Sequence, residues 1–482
     1  MDSFDLYRCM IQSLSTVGSG NAGSCAAFAA AEAGCDKVLI VDVCPSEWVG
    51  GNGYFTAGAF RTVHGGLKDL LPIVNNVSAE QAGSIDMDPY SLHDFVGDIM
   101  RLGDGKPDPV LAHAVVASSR DTIAWLADKV GLPFMFSFHR QAYNVNGRQR
   151  FWGGMVLCTE DGGKGLIAAH QRALARAKVQ VWFNCRAVEI TMKDGAVSGL
   201  VVEKEGKKMH LATRAVVLAA GGFESNPQLR EKHLGAGWER AIEGTGDGFQ
   251  LAAAVGARQT GDWAGCHSTC WDANAPAQGQ RDLTNQFTKS GYPLGLMINS
   301  AGQRFVDEGE DFRNYTYAKF GRAILKQPGG YVFQVWDSKV IGSLRVEEYG
   351  DGIVEKIFAD RIDDLADKLV VKGLKEKEEF VQTVKQFNQA VKTIKDRMST
   401  KDLTIPKSNW ALTIDQPPFM AVKVACGVTF TFGGLEIDPE TAGLFCTGEM
   451  VGLFHGNYPG GSGLMAGAVF GRKAGQAAAK LV

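Results

Sequence analysis

Apolar residues in this chain come in short dense runs closed by small residues. Lys37-Val38-Leu39-Ile40-Val41 ends at Asp42, Val179-Gln180-Val181-Trp182-Phe183 forms a second run, and Arg214-Ala215-Val216-Val217-Leu218-Ala219-Ala220 ends on Gly221-Gly222. Runs of this length, bounded by glycine or a charge, predict buried strands, and 331–336 reads the same way. The first run, from Cys9 to Val17, is more polar than a buried parallel strand normally is. Ala26 to Ala31 follow it as a small-residue helix. Val110, Ala114, Ala117, Ile123, Leu126 and Val130 keep helical spacing until Gly131 and Pro133. Further helices are expected from Gly162 to about 177 and over 249–255. The strict alternation of 187–191 and 197–202 across Lys193-Asp194-Gly195-Ala196 predicts a hairpin. Residues 138–153, with His139, Arg140, Arg148 and Arg150, read as a solvated polar loop. Residues 361–395 read as one amphipathic surface helix with Phe380, Val384, Phe387, Val391 and Ile394 on its apolar face.

The order strand, Gly18-Ser19-Gly20-Asn21-Ala22-Gly23, helix, strand, Asp42 is that of a βαβ dinucleotide-binding unit. Gly18 permits the tight turn. Gly20 lets backbone approach a pyrophosphate, and Gly23 lets helix pack on strand. The helix N-terminus offers free N–H groups to phosphate. Asp42 follows about 20 residues on, where an acid takes ribose hydroxyls. A glycine-rich turn used only for packing is the plainer alternative.

At 482 residues the chain is long for a single core. Composition shifts after about 262 toward Trp, Tyr, Asn, Asp and Gly, and the glycine-rich style returns after Pro417-Pro418 and Val422. The expected organisation is therefore one domain built from 1–262 and 425–482, with 263–424 inserted. A net charge of −3 with scattered Lys and Arg argues against nucleic-acid binding. The ten cysteines hold no C-x-x-C, and the Cys266–Cys270 spacing suits neither zinc nor an iron–sulfur cluster. They read as reduced and mostly buried, which with the absence of a signal-peptide pattern or bilayer-length apolar run leads to a cytoplasmic expectation.

Gly18 to Gly23, Gly50-Gly51-Asn52, Ala219-Ala220-Gly221-Gly222, Gly246-Asp247-Gly248, Gly448-Glu449 and Gly460-Gly461-Ser462-Gly463 together resemble the FAD-dependent fumarate reductase and 3-ketosteroid dehydrogenase superfamily. The likeness runs nearly end to end. Phe305-Val306-Asp307-Glu308, Asp311 to Tyr317, Lys407 to Ala411, Thr429 to Gly434 and Gly456 to Gly461 look most like its tricarballylate dehydrogenase branch. The resemblance implies an α/β fold: a Rossmann-like FAD-binding domain of the GR2-type flavoproteins, with an inserted α+β cap domain. It implies that Gly18, Gly20, Gly23 and Asp42 hold the ADP half of FAD, with Asn21, Ala220, Gly221 and Gly461 along the same cofactor. Gly51 and Asn52 would lie by the pyrophosphate and flavin, Asp247 near the ring, and Glu449 on the ribitol or ribose. Ser462 to Leu464 would open a helix aimed at the flavin, where a helix N-terminus stabilises the reduced ring. Asp247 also reads as a helix cap.

The same resemblance places three catalytic candidates. His267 takes the position of a substrate-binding His, and Arg313, one residue out of register, that of a proton-donating Arg. Tyr458 replaces a substrate-carboxylate Arg, and Phe430 stands where fumarate reductases have a His. Losing a bidentate guanidinium implies a pocket less selective for anions, which argues against fumarate or succinate. The residues alone also allow plainer roles: His267 in a core, Arg313 paired with Asp307 or Asp311, Tyr458 in packing. The expected activity is removal or addition of hydrogen across a C–C bond beside a carboxylate or carbonyl of a small organic acid, tricarballylate-like, with hydride passing to or from the flavin. Alternatives are a desaturase or reductase of a cyclic ketone or secondary metabolite, and a non-catalytic flavin protein, the last motivated by a hairpin near 438–444 that is shorter than the family's. No metal ligands are expected. The electron acceptor stays open between a separate redox protein, a quinone and oxygen.

Overall fold

The computed structural model describes residues 10–394, 397–400, 402–438 and 444–481. The chain divides into two compact units, one of 1–234, 242–266 and 430–482, the other of 235–241 and 267–429.

The first unit is built on a five-stranded parallel sheet. Its strands are β1 (Leu14–Val17), β2 (Val38–Val41), β3 (Gln180–Trp182), β4 (Ala215–Leu218) and β5 (Phe445–Cys446). Their spatial order is β3-β2-β1-β4-β5, the order of a dinucleotide-binding α/β fold, in which β1 lies centrally and the chain reverses direction across it. Register is set by Leu14 beside both Val38 and Ala215. Every residue of β1, β2 and β4 is buried, as expected of strands covered on both faces.

The polar first run is not one strand. Met10–Ile11 pairs with Leu211 and Ala212 of a separate antiparallel sheet, and only Leu14–Val17 joins the parallel one. Gln12 and Ser13 form the crossing between sheets. The cost of polarity falls on Ser15 and Thr16, whose fully buried hydroxyls have no hydrogen-bond partner.

Four helices matter to the site: α1 (Asn21–Glu32), α2 (Gly162–Arg176), α3 (Asp247–Ala254) and α4 (Ser462–Ala479). α4 lies along α1 through a glycine face. A Cβ added at Gly471 would stand 2.5 Å from Ala22 O, and one at Gly475 2.1 Å from Ala26 O. Backbones meet that closely only where no side chain intervenes.

Residues 138–153 are not a loop. They form the short helix Phe138–Gln141 and a hairpin of Ala142–Val145 with Arg148–Phe151, which pairs onto Ile85–Met87. Asn146 and Gly147 both take positive φ, the two-residue turn that joins twisted strands tightly. The arginines there bind carboxylates: Arg148 reaches Asp86 at 2.7 Å and Arg150 reaches Asp88 at 2.7 Å.

Arg61 is the largest charged side chain buried in this unit. Its Nε donates to Gly460 O at 2.8 Å, and its Nη1 lies 3.0 Å from Tyr90 Oη and 3.3 Å from Asp98 Oδ2. The guanidinium thereby pins the turn that precedes α4. Arg61→Met removes these donors and leaves Asp98 with the Tyr90 hydroxyl, at 2.6 Å, and the more exposed Arg101. Breaking a buried pair from one side costs about 3–5 kcal/mol. With Arg101 as partial compensation, a loss of about 3 kcal/mol is expected in urea unfolding of the full chain.

The second unit is a mostly antiparallel sheet. Leu296–Asn299 pairs with Tyr331–Trp336, which pairs with Met420 to Ala425; Ile357–Ala359 adds on at Phe419 to Ala421. Leu365, Leu369, Phe380, Val384 and Phe387 cover one face. The single helix expected over 361–395 is two, Ile362–Val371 and Lys377–Ala390. Gly373, at φ 113°, turns the chain between them, where a Cβ would meet Tyr331 Oη at 2.4 Å. Backbone 392–394 is a short strand rather than helix. The helix expected to Val130 ends with Pro109–Trp125 and a wider π turn closed by Gly131.

Candidate active site

The turn between β1 and α1 is held from inside. A Cβ on Gly18, at φ 104°, would lie 2.3 Å from Ala219 O, and one on Gly23 would lie 2.0 Å from Gly18 O. Gly20 differs: its φ is −69°, and a Cβ there would find Gly50 O no nearer than 3.4 Å. No side chain caps α1, so its first N–H groups are left for a ligand. Gly51 at φ 49° and Gly221 at φ 74° have nothing within 4 Å of where a Cβ would be. Open space at Gly51 and Gly221, and room at Gly20, around an uncapped helix start fits the phosphates of FAD.

Asp42 ends β2 and turns back to this loop. Its Oδ2 accepts from Ser19 N at 2.7 Å and Ser19 Oγ at 2.6 Å, and its Oδ1 from Cys44 N at 3.0 Å. Asn21 serves the scaffold through its side chain: Nδ2 donates to Leu464 O at 3.0 Å, and Oδ1 sits 3.0 Å from His170 Nε2, joining α1, α4 and α2. Burial lowers the His170 pKa to about 4, so the ring is neutral and donates. Ala220 N lies 3.3 Å from Met450 Sδ.

Gly461, at φ 81°, starts α4 without a side-chain cap. Ser462 is fully buried, and its hydroxyl donates to Pro459 O. Asp247 does not cap α3; Gly246 occupies that position, and the Asp247 carboxylate is paired closely with Arg186. The capping alternative therefore fails, because the strand 185–193 brings a cation to the carboxylate.

Asn52 and Glu449 meet. Asn52 Nδ2 lies 3.2 Å from Glu449 Oε2 and 2.8 Å from Oε1 of Glu224, a residue that no spacing rule singled out. The Thr431 N–H donates to Glu449 Oε1 at 2.6 Å and its hydroxyl at 2.8 Å. Glu224 sits directly after the Gly221-Gly222-Phe223 turn, which is the one sequence signal that could have found it.

Tyr458 belongs to a cluster of four rings. Its centroid is 5.4 Å from Phe430, 5.8 Å from Phe432 and 5.2 Å from Phe454. The cluster borders the first turn of α4, since a Cβ on Gly463 would lie 3.6 Å from Phe430 Cζ and 3.8 Å from the Tyr458 ring.

In the second unit, the His267 segment of strand 259–272 docks on the turn that Arg313 opens. The His267 ring stands edge-on to Tyr317 at 4.5 Å, and Tyr317 N donates to Arg313 O at 2.9 Å. Ser268 N and Oγ donate to Ala318 O at 2.8 and 3.0 Å, docking the His267 segment on that turn. Burial lowers the His267 pKa to about 3, so its imidazole is neutral. Arg313 Nη1 lies 3.4 Å from Ser290 Oγ. Ser290 bonds Glu348 through N and Oγ at 2.7 and 2.6 Å, and Arg345 reaches both Ser290 Oγ and Glu348, at 3.0 and 2.9 Å. Asp307 is engaged by Ser408 and by Gly309 N. Arg345 and Glu348 stand at i,i+3 spacing, but no local pattern ties them to Ser290, 58 residues before Glu348.

None of the nine described cysteines is in a disulfide, and five of them are buried. Among the described residues no helix is long and apolar enough to cross a membrane. The shortened hairpin near 438–444 falls mostly outside the described residues, at 439–443.

Comparison with known proteins places these features. Residues 74–464 match the family model described as an FAD binding domain. A probable fumarate reductase of Shewanella frigidimarina is 28% identical over 487 residues, covering 96% of this chain and 74% of its own length. Among solved structures, the open conformation of a flavocytochrome c3 fumarate reductase superposes with a TM-score of 0.70 at 25% identity, over 98% of this chain and 78% of that one. A 3-ketosteroid Δ1-dehydrogenase from Sterolibacterium denitrificans shares the fold, with a TM-score of 0.71 at 20% identity over 98% and 99% of the two chains. The uncapped helix start, the open glycines and these likenesses agree: the chain belongs to the FAD-binding domain family, and it is an FAD-dependent oxidoreductase of the fumarate reductase and dehydrogenase kind, acting on carbon–carbon bonds.

Proposed function

We propose that this protein adds or removes hydrogen across the C–C bond beside a carboxylate of a small organic acid, tricarballylate-like in chemistry. The observation that carries this reading is the packing of the His267 ring on Tyr317, at the end of the turn that Arg313 opens in the second unit. Bound FAD supplies the hydride acceptor or donor. The chain's own residues supply the rest. Arg313 presents a guanidinium, suited to fixing a carboxylate and, by giving up and regaining a proton, to serving the neighbouring carbon. His267 is neutral, so it donates a hydrogen bond to substrate without competing for the proton. Gly18, Gly20, Gly23, Gly51, Gly221 and Gly461 bring backbone to the cofactor, with Asp42 and Glu449 on its hydroxyls. Residues 263–424 act as the substrate-binding cap. Electrons leave to a separate redox protein, a quinone or oxygen.

A second reading has its own observation. The ring cluster of Phe430, Phe432, Phe454 and Tyr458 at the first turn of α4 suits the carbon skeleton of a cyclic ketone better than a polyanion. A ketosteroid dehydrogenase of the same fold makes that substrate class concrete. An anaerobic screen of the FAD-loaded protein separates the two. Tricarballylate is expected to bleach the flavin band, whereas cyclic ketones and fumarate leave it unchanged. Bleaching by a cyclic ketone alone replaces the first reading by the second. No bleaching by any carboxylate or ketone, and no reoxidation of reduced flavin by their unsaturated forms, defeats both.

A further inference from the structure

Behind Glu449 lies a second carboxyl. Glu224 is completely buried, whereas Glu449 keeps part of its surface exposed. One amide clamps both, Asn52 donating to Glu224 Oε1 and to Glu449 Oε2. Glu449 Oε1 is doubly held by Thr431. Glu224 Oε2 accepts from no donor. The two walls of this small chamber are glycines: a Cβ on Gly222 would lie 2.1 Å from Glu449 Oε1, and one on Gly244 2.0 Å from Glu224 Oε2. No water-sized gap is left on those sides to hydrate an anion.

Two carboxylates bonded to one amide, one of them out of water with an oxygen that accepts from no donor, repel each other without compensation. The arrangement is satisfied when the Glu224 carboxyl carries a proton and shares it with Glu449 as a hydrogen bond. We propose that Glu224 is a neutral carboxylic acid in the working protein, that it and Glu449 form a one-charge pair, and that this proton makes FAD binding pH dependent. The cofactor part rests on the reading of Glu449 as an FAD ligand. Burial first, and the Glu449 charge second, hold the Glu224 carboxyl well above the usual carboxylate range. Burial also raises Glu449, while its hydrogen bonds from Glu224, Thr431 and Asn52 pull it back, so Glu449 ionises first.

The charged groups facing Glu224 are Glu449 and Arg230, whose guanidinium donates to the Glu224 backbone carbonyl. His233, on the same helix as Arg230, packs instead on the Phe223 ring. A carboxyl raised by folding contributes its full stability below about pH 4.3 and loses it as pH rises through the folded value. Alkali, not acid, therefore breaks the pair by placing a second charge in the chamber.

FAD affinity of the full chain, followed by flavin fluorescence from about pH 6 to about pH 10, tests this. Wild type is expected to weaken by about tenfold or more toward the alkaline end, the effect of one proton over one pH unit or more. Glu224→Gln keeps an acceptor for Asn52 and a donor for Glu449. It is expected to bind FAD at neutral pH within about threefold of wild type and to show a flat profile. Infrared difference spectra are expected to lose one protonated-carboxyl band in Glu224→Gln and none in Glu449→Gln. A flat wild-type profile overturns the pH dependence, and this needs no variant. Loss of no acid band in Glu224→Gln overturns the neutral acid. If Glu449→Gln binds FAD like wild type, the ligand role of Glu449 falls, while the infrared band still decides the proton on Glu224.

Discussion

Gly18→Ala is expected to destabilise the FAD-binding unit by about 3 kcal/mol or more and to leave the purified protein without flavin. Two costs add. The backbone at Gly18 sits at φ 104°, where a side chain is strained by about 1–3 kcal/mol. The new methyl would also lie 2.3 Å from Ala219 O and 2.8 Å from Ala219 C, which are backbone atoms of the adjoining chain segment. Relief requires moving β1 from β4, at the expense of the Ala219 N–H to Val17 O bond at 2.9 Å and the Gly18 N–H to Val41 O bond at 2.9 Å. Gly20→Ala is the control that separates fold from ligand. Its φ of −69° suits alanine and its nearest neighbour is 3.4 Å away. The apoprotein should keep its stability within about 1 kcal/mol, yet FAD affinity should fall by about tenfold or more, because the methyl fills space that phosphate would use. Urea unfolding of apoprotein with a parallel FAD titration reads both. A Gly20→Ala protein that binds FAD like wild type would place the phosphates elsewhere.

Arg313→Ala is expected to lower turnover on the identified substrate by about 10²–10⁴-fold while FAD stoichiometry stays the same, the usual range for a lost proton-transfer group. Arg313→Lys should recover only part of this, since an ammonium cannot match a planar two-point contact. The group is held by Ser290, itself fixed by Glu348 and Arg345, so Ser290→Ala should move the rate less than Arg313→Ala and leave FAD content unchanged. His267 makes a distinguishing prediction in pH. Its pKa, lowered from 6.5 to about 3 by burial, leaves it neutral through the assay range. No limb of the rate profile near pH 6.5 should then belong to it, and His267→Gln should change KM or kcat without moving the profile. Because folding lowers this pKa, the stability tied to the neutral ring is present above pH 6.5 and is lost as pH falls toward 3. Equal loss of FAD and activity in Arg313→Ala would reassign the guanidinium to structure.

What was legible in the sequence was what is contiguous. The turn from Gly18 to Gly23, the helix after it and Val38 to Asp42 lie within one stretch, and apolar runs marked β2, β3 and β4. β5 escaped because Phe445–Cys446 is two residues long, too short for any period to show. At 142–151 the arginines reach solvent, as expected, but the hairpin escaped because Asp86 and Asp88, which pair with them, lie 62 residues earlier. The break at Gly373 was outvoted by the apolar periodicity on either side, although glycine at that spot is a helix stop. The Asn52, Glu224 and Glu449 group is the hardest case. Its hydrogen bonds span 172 and 397 residues, so no local spacing encodes it. The FAD motifs pointed to Asn52 and Glu449 separately; only the fold shows that they share a third partner.

The glycine face that joins α1 to α4 has a consequence for the order of assembly. Asn21 bonds the carbonyl of a residue 443 positions later. Pairing at such separation raises contact order and delays the event in folding, since loop closure is paid before the contact rewards it. α1 must therefore wait, with its small-residue side uncovered, until the far later α4 is made. The nucleotide cradle is complete only when they meet, so capture of FAD belongs to the end of folding, and bound FAD in turn holds the two distant segments together by mass action.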